Sequence, residues 1–309
     1  MAEWLYEAGI GENRAILVED GAIIETQIEL PGLRAGTVTD ARLTSILIPG
    51  RRGVATLGCG AEVLIEPLFK VSEGAAIRVE ITREVIPEPG ALKRAKGRFS
   101  DAMPCLGPVL ATRIGPHQIV GPHDPDLFEQ AGWSECLEAA GRLICDFPEG
   151  QLRLSLTPAM TLIDVDGPGD AGSLAIAGAI AAARAIRRFG LAGNIGIDLP
   201  TVSGKAERLA IAAAFDAALP QPFERTAVNG FGFLQLIRPR VRASLCEIIN
   251  HDRMAAAARA LIRQVQRSGQ IGAIEIVTTS AVASVIHKHP DWIATLSRQL
   301  GGIVTVISS

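Results

Sequence analysis

None of the five cysteines, Cys59, Cys105, Cys136, Cys145 and Cys246, forms a Cys-x-x-Cys pair with another, and their number is odd. Scattered thiols of this kind argue against a structural zinc site and for reduced cysteines in a cytoplasmic setting. Aromatic residues are scarce at 4%, so base stacking on protein rings is in short supply. The Gly-rich "GPGD" at 167–170 lacks a following Gly-Lys-Ser/Thr, which excludes a nucleotide-hydrolysing P-loop. The opening "MAEWLYEAGIGENR" has early acidic residues and no basic start before an apolar run, so no signal peptide is expected. The most apolar segment, "LAIAGAIAAARAI", is too short and too rich in Ala to span a bilayer, and no membrane partner is expected. A net charge of −3 does not mark a nucleic-acid binder by its sum, but distribution matters more.

What the chain does have is 309 residues and a hydrophobic fraction of 48%, enough for a substantial core and about two domains as a starting expectation. Residues 1–35 read as an antiparallel hairpin that turns at Glu19-Asp20-Gly21 and packs on the core. Residues 36–98 hold short β-rich pieces separated by Gly and Pro, the spacing of a small barrel, with "PEPGALKRAKGRF" as a basic loop leaving it. Residues 99–155 form a reduced linker region with one helix, "DLFEQAGWSECLEAAGRL". Residues 156–250 alternate strand and helix, including a long Ala-rich helix that Gly190 should stop. Residues 251–309 repeat the alternation on a smaller scale, with "AVASVIHKHPDWIATLSRQL" read as one helix. The fold class is α/β, in the sense of an α+β multi-domain chain.

The stretch "TLIDVDGPGD" ends a buried strand on two carboxylates. Ile163 and Val165 alternate with Asp164 and Asp166, so the two acids share one side. A helix long enough to cross back over a sheet separates this strand from "GIDLP", which makes the two strands parallel. Asp198 is then delivered to the same sheet edge, where open sheets of this kind bind ligands. Three converging carboxylates repel one another unless a cation joins them. Oxygen-only ligands favour Mg²⁺ or Mn²⁺ over zinc, and such an ion can polarise a phosphoryl oxygen and activate water. A plainer reading makes Asp170 the helix N-cap and leaves Asp166 to the backbone donors of the Gly-Pro-Gly turn. The acidic pattern suits phosphatases, kinases and nucleases alike.

Three stretches, "LIDVDGPG", "LAGNIGIDLP" and "NGFGFLQLIRPRVRASL", resemble in order the catalytic core of the bacterial ribonuclease E/G family. Upstream, "GTVTDARL" and "GVATLGCGAEVLIEP" look like that family's inserted OB-type barrel, and the C-terminal module resembles its small domain. The resemblance implies a metal-dependent endoribonuclease that cuts single-stranded RNA to 5′-phosphate and 3′-hydroxyl ends. The family's metal-binding aspartates fall on Asp164 and Asp198, and its nearby asparagine falls on Asp166, which adds a candidate third ligand. The arginine before the family's Phe-Gly signature is Gly230 here, and an aliphatic around Val63–Leu64 replaces a barrel aromatic. The segment between the barrel and "LIDVD" is too short for the family's 5′-monophosphate pocket, and the zinc-linking cysteine pair is absent. The alternative is an RNA-binding protein on the same scaffold with weak or lost catalysis.

In that setting the basic runs become RNA contacts. Lys93, Arg94, Lys96 and Arg98 would flank the barrel-to-core junction, and Arg238, Arg240 and Arg242 would face one way beside the metal edge. Lys205 and Arg208, early in the helix after Asp198, would also face phosphate. Ion pairing with surface Glu is the plain alternative for each. His287 and His289, at i and i+2, share no helix face, and "GPHQIVGPHDPD" reads as loop packing.

Overall fold

In the computed structural model, which describes residues 1–69, 71–88 and 90–308, the first turn is made by Asp20 and Gly21 at φ of 51° and 77°. Both take the left-handed region that two-residue hairpins require. Strand β1 (Glu3–Ala8) pairs antiparallel with β2 (Asn13–Glu19), and β2 with β3 (Ala22–Glu29). The first 35 residues are therefore more than a hairpin.

Five strands then close a barrel: β4 (Val38–Ile48), β5 (Arg52–Leu57), β6 (Glu62–Ile65), β7 (Ala76–Arg83) and, after the small hairpin β8 (Ile86–Glu88) and β9 (Ala91–Lys93), β10 (Ala95–Phe99). β10 pairs parallel with β6 and antiparallel with β7, the connectivity of an OB-like barrel. The expected basic loop over 87–99 is thus two strands, although Pro89 within it lies outside the described residues. The reason is a two-residue alternation masked by charge: Ala95 and Gly97 point in, while Lys96 and Arg98 point out. A Cβ at Gly97 would stand 3.0 Å from the Glu80 carbonyl oxygen. Chain entry and exit lie side by side, for Val38 and Cys105 exchange backbone hydrogen bonds of 2.9 and 3.0 Å.

Next come α1 (Leu110–Arg113), the short strand β11 (Gln118–Ile119), which pairs with β1, and helices α2 (Leu127–Gln130) and α3 (Trp133–Arg142). The single helix expected over 126–143 is broken at Gly132, whose φ of 91° no helix can hold.

The central sheet has the order β12-β13-β14-β15-β17-β16, formed by β12 (Ile144–Phe147), β13 (Gly150–Leu156), β14 (Thr161–Asp166), β15 (Gly193–Asp198), β16 (Glu224–Arg225) and β17 (Phe233–Arg238). Only β14 and β15 pair in parallel. Between them runs α4 (Ala171–Phe189), capped by Asp170, which accepts from Ser173 N–H at 2.9 Å, and ended by Gly190 at φ 65°. Its Ala face lies close to the sheet: a Cβ at Gly178 would overlap Val165. α4 is shared with β3, and one core unites the N-terminal strands with the central sheet. α5 (Lys205–Ala218) follows β15, and α6 (Leu245–His251) follows β17.

The C-terminal unit is α7 (Arg253–Gln266), β18 (Ile274–Thr278), α8 (Ser280–His287), α9 (Pro290–Leu300) and β19 (Val304–Ser308), with its two strands parallel and an apolar core that takes in Ile10 between β1 and β2. Here too one expected helix is two, because Pro290 starts α9 and cannot continue α8.

Candidate metal centre and nucleic-acid interface

β14 buries Thr161, Ile163 and Val165 and turns Leu162, Asp164 and Asp166 outward, while β15 buries Ile195 and Ile197 and turns Asn194 and Asp198 outward. The outward residues lie on the sheet face opposite α4. Asp164 stands in register with Asp198, so the two side chains leave one face of neighbouring strands whose backbones run about 4.8 Å apart. Asp166 lies two residues further along β14, about 6.6 Å away, and its carboxylate faces Arg153 at 3.4 Å. Arg153 belongs to β13, in register with Asp164. Nothing in the linear sequence singles it out, since its place depends on the antiparallel pairing of β13 with β14.

Burial, more than any other cause, raises the Asp164 carboxyl above its ordinary range, and the charges of Asp166 and Asp198 push it further. Arg153 and the Val165 N–H pull the other way without cancelling this. Three carboxylates and one guanidinium leave a net charge of −2 at this edge, matched to one divalent cation. Among the described residues no group of three or more His, Cys, Asp or Glu is gathered closely enough to hold a metal ion. The expected three-carboxylate cage is therefore replaced by a pair, with Asp166 engaged by Arg153. A pair of hard oxygen donors still fits Mg²⁺, which is commonly held by one or two carboxylates and keeps its other positions for water and phosphate.

The basic residues are distributed otherwise than expected. Each cation of the 93–98 run holds a glutamate: Lys93 with Glu88 at 2.5 Å, Arg94 with Glu62 at 2.7 Å, Lys96 with Glu66 at 2.7 Å and Arg98 with Glu80 at 2.8 Å. Arg238, Arg240 and Arg242 do not face one way. Arg240 pairs with Glu247 and lies 4.0 Å from Glu88, whereas Arg238 donates to the Leu191 carbonyl at 3.3 Å and Arg242 lies half-buried near Arg113 and Glu84. The chain leaves β17 at Pro239, so strand alternation does not govern these three. Arg208 ties down the loop after Asp198 by donating to the Val202 and Ser203 carbonyls. Lys205 is exposed at the first position of α5 and has no carboxylate partner among the described residues.

Two aromatic features emerge only in three dimensions. Phe231 is 82% exposed in the turn before β17, where Phe233 is the register partner of Asp198. The turn is fixed rather than loose. Asn229 Oδ1 accepts from the N–H groups of Phe231 and Phe233 at 2.9 and 3.0 Å, Thr201 Oγ1 donates to the Phe231 carbonyl, and Gly232 at φ 86° lies against Leu199. On the barrel, Phe69 and Phe99 form a ring pair at 5.4 Å, with Phe69 62% exposed.

The remaining signals are structural. His289 stacks on Trp292 at 4.2 Å, His117 packs near Tyr6, and Asp124 accepts from the Gly121 N–H. Cys136, Cys145 and Cys246 are buried, with the Cys136 thiol pushed up to about 12 by burial; Cys59 and Cys105 are exposed. No helix among the described residues is long and apolar enough to cross a membrane. No family model matches this chain, and no curated protein matches it.

Proposed function

We propose that the chain is a metal-dependent endoribonuclease of the ribonuclease E/G type, acting on single-stranded RNA. The observation that carries this reading is the in-register pair Asp164 and Asp198 on the open face of a sheet whose chain also carries an OB-like barrel. Asp164 and Asp198 would hold a divalent ion, which when bound supplies a Lewis acid for a phosphoryl oxygen and an acidified water. Arg153 holds Asp166 aside and limits the negative charge that an incoming phosphate would meet. Phe231 offers a ring for a base beside the acidic pair, and Lys205, exposed at the start of α5 beyond the loop that follows Asp198, offers a cation for a phosphate.

The test is incubation of the purified protein with end-labelled single-stranded RNA in Mg²⁺ or in EDTA. Cleavage in Mg²⁺ that stops in EDTA is expected. RNA binding with no cleavage in either Mg²⁺ or Mn²⁺ would leave the second reading, an RNA-binding protein on this scaffold. That reading draws on the ion pair of Asp166 with Arg153, 3.4 Å apart beside the acidic pair.

A further inference from the structure

Where α7 of the C-terminal unit meets α3 and the N-terminal strands, there is a cavity of about 560 Å³. That volume lies in the range of small-molecule sites. None of its lining residues belongs to β14, β15 or β17, so it is separate from the acidic pair. Its walls are mostly apolar, with Ile28, Trp133, Leu137 and Ile248 among them, while two exposed arginines, Arg142 and Arg253, also line it.

The buried polar side chains that line it are Glu12, Arg14, Arg259 and Arg263, with Arg14 1% and Arg259 7% exposed. The Glu12 carboxylate joins Arg14 and Arg259: Arg14 Nε donates to Glu12 Oε1 at 2.7 Å, and Arg259 Nε to Glu12 Oε2 at 2.6 Å. Both bonds leave from Nε, which keeps the end of the Arg259 guanidinium available. Arg14 is closed off from the cavity at its tip, since Nη1 donates to Glu7 and Nη2, which has no hydrogen-bond partner, is fully buried. Arg259 makes no hydrogen bond through its Nη nitrogens among the described residues. Next to them, Arg263, which also lines the cavity, and Arg267 share Glu7 and Asp126. Four largely buried guanidiniums therefore face three carboxylates, and one positive charge is left without a counter-charge. A buried charge of that kind calls for an anionic partner.

We propose that this cavity binds a small organic anion with an apolar body. Its charged group, a carboxylate or a phosphate monoester, pairs with the guanidinium end of Arg259, the buried charge of Arg14 lies behind it, and its body packs against Trp133 and Ile248. The apolar walls select against inorganic phosphate, and the guanidiniums select against the neutral counterpart. Bound there, the ligand touches the N-terminal strands, α3 and α7 together, and so joins the C-terminal unit to the body.

The test uses the whole protein and two fluorescent probes of the same shape, 8-anilinonaphthalene-1-sulfonate and uncharged N-phenyl-1-naphthylamine. The sulfonate is expected to bind at one site per chain, with the uncharged probe about tenfold or more weaker, as loss of a charge-assisted contact implies. Phenylacetate and phenyl phosphate are then added as competitors, and the stronger of the two identifies the headgroup class. Arg259→Gln should abolish binding. Because that change leaves Glu12 short of a partner, Ala256→Phe, which fills the cavity from a half-buried helix position, serves as a second variant and should abolish binding with an unchanged circular dichroism spectrum. Equal binding of the two probes, no displacement by either competitor, or full binding by a folded Ala256→Phe protein would overturn the proposal.

Discussion

Asp164 is the residue on which charge, fold and chemistry meet. Its pKa is raised, first by burial and then by its two acidic neighbours, so the native state holds the ionised form less well than the unfolded chain does. Ionised Asp164 therefore lowers stability at pH values above its unfolded pKa, and that penalty disappears as pH falls through the raised native value. Asp164→Asn is expected to raise the melting temperature at pH 7 without metal, a difference that calorimetry should see shrink in acid. The same change should lower Mg²⁺-dependent RNA cleavage by about a hundredfold or more, since metal-ion stabilisation is worth several kcal/mol and about 1.4 kcal/mol is tenfold in rate. Unchanged melting together with full cleavage would remove Asp164 from the site. Phe231 makes a separate claim at this scale. Phe231→Ala should raise KM for RNA by about tenfold, because stacking contributes about 1–3 kcal/mol per base, with Phe231→Tyr restoring it. A KM indifferent to both changes would make the ring a bystander.

At the scale of elements, β10 and its neighbours show how a basic sequence run becomes an electrically neutral surface. Lys93, Arg94, Lys96 and Arg98 each face a glutamate, and the exposed pairs among them contribute little to stability, about 0–1 kcal/mol. A phosphate would therefore displace a glutamate at small cost, and Glu66, which Lys96 shares with Arg52, already serves two cations there. Glu62→Ala, which frees Arg94, should steepen the salt dependence of RNA affinity by about 0.7 in log–log slope, and Lys205→Ala should flatten it by about the same amount. Equal slopes in all three proteins would place RNA elsewhere on the molecule. The contrast also marks what the sequence could and could not convey. The Asp164–Asp198 juxtaposition was legible because it follows from local rules, two alternating strands and a crossover helix with its caps at Asp170 and Gly190. The glutamates facing the basic run were not, since Glu62, Glu66 and Glu80 lie 18 to 32 positions from their partners and meet them only after the barrel closes. Arg153 was hidden for the same reason. The breaks at Gly132 and Pro290 were local but were overridden by the apolar period running through them.

On the scale of the whole molecule, stability is divided among several cores joined by few, specific ties. The C-terminal unit is built on an apolar core that takes in Ile10 between β1 and β2, and it meets the body there and through the buried arginine–carboxylate set. Asp126 belongs to that set. Burial alone would raise its pKa, but hydrogen bonds from Arg263 and the Glu129 N–H, with the charges of Arg263 and Arg267, outweigh burial and hold it below the usual carboxylate range. A depressed native pKa gives stability that is present above the unfolded pKa, about 3.9, and is lost as pH falls through the native value. The C-terminal unit should therefore loosen in that acidic window, with hydrogen exchange in α7 rising before exchange in β14 and β15. Simultaneous loss of protection in both would show that the two cores unfold as one.

The barrel is attached in another manner. Its first and last residues exchange hydrogen bonds, Gly107 donates to Thr37 Oγ1 at 3.0 Å, and Arg34 Nε donates to the Gly107 carbonyl at 2.9 Å. A side chain at Gly107 would overlap the Ala35 carbonyl oxygen. The two ends of a module of some sixty residues thus pass through one narrow doorway, and the body on either side of it is already continuous. Such an insert can be removed or exchanged as a cassette. Replacing residues 38–105 by a short Gly-Ser bridge would leave Arg240 with Glu247 after the loss of Glu88, and the central sheet should keep its cooperative unfolding. By the same logic, another small barrel grafted at Thr37 and Leu106 could redirect the acidic pair to a different polymer without a change in the sheet that holds it.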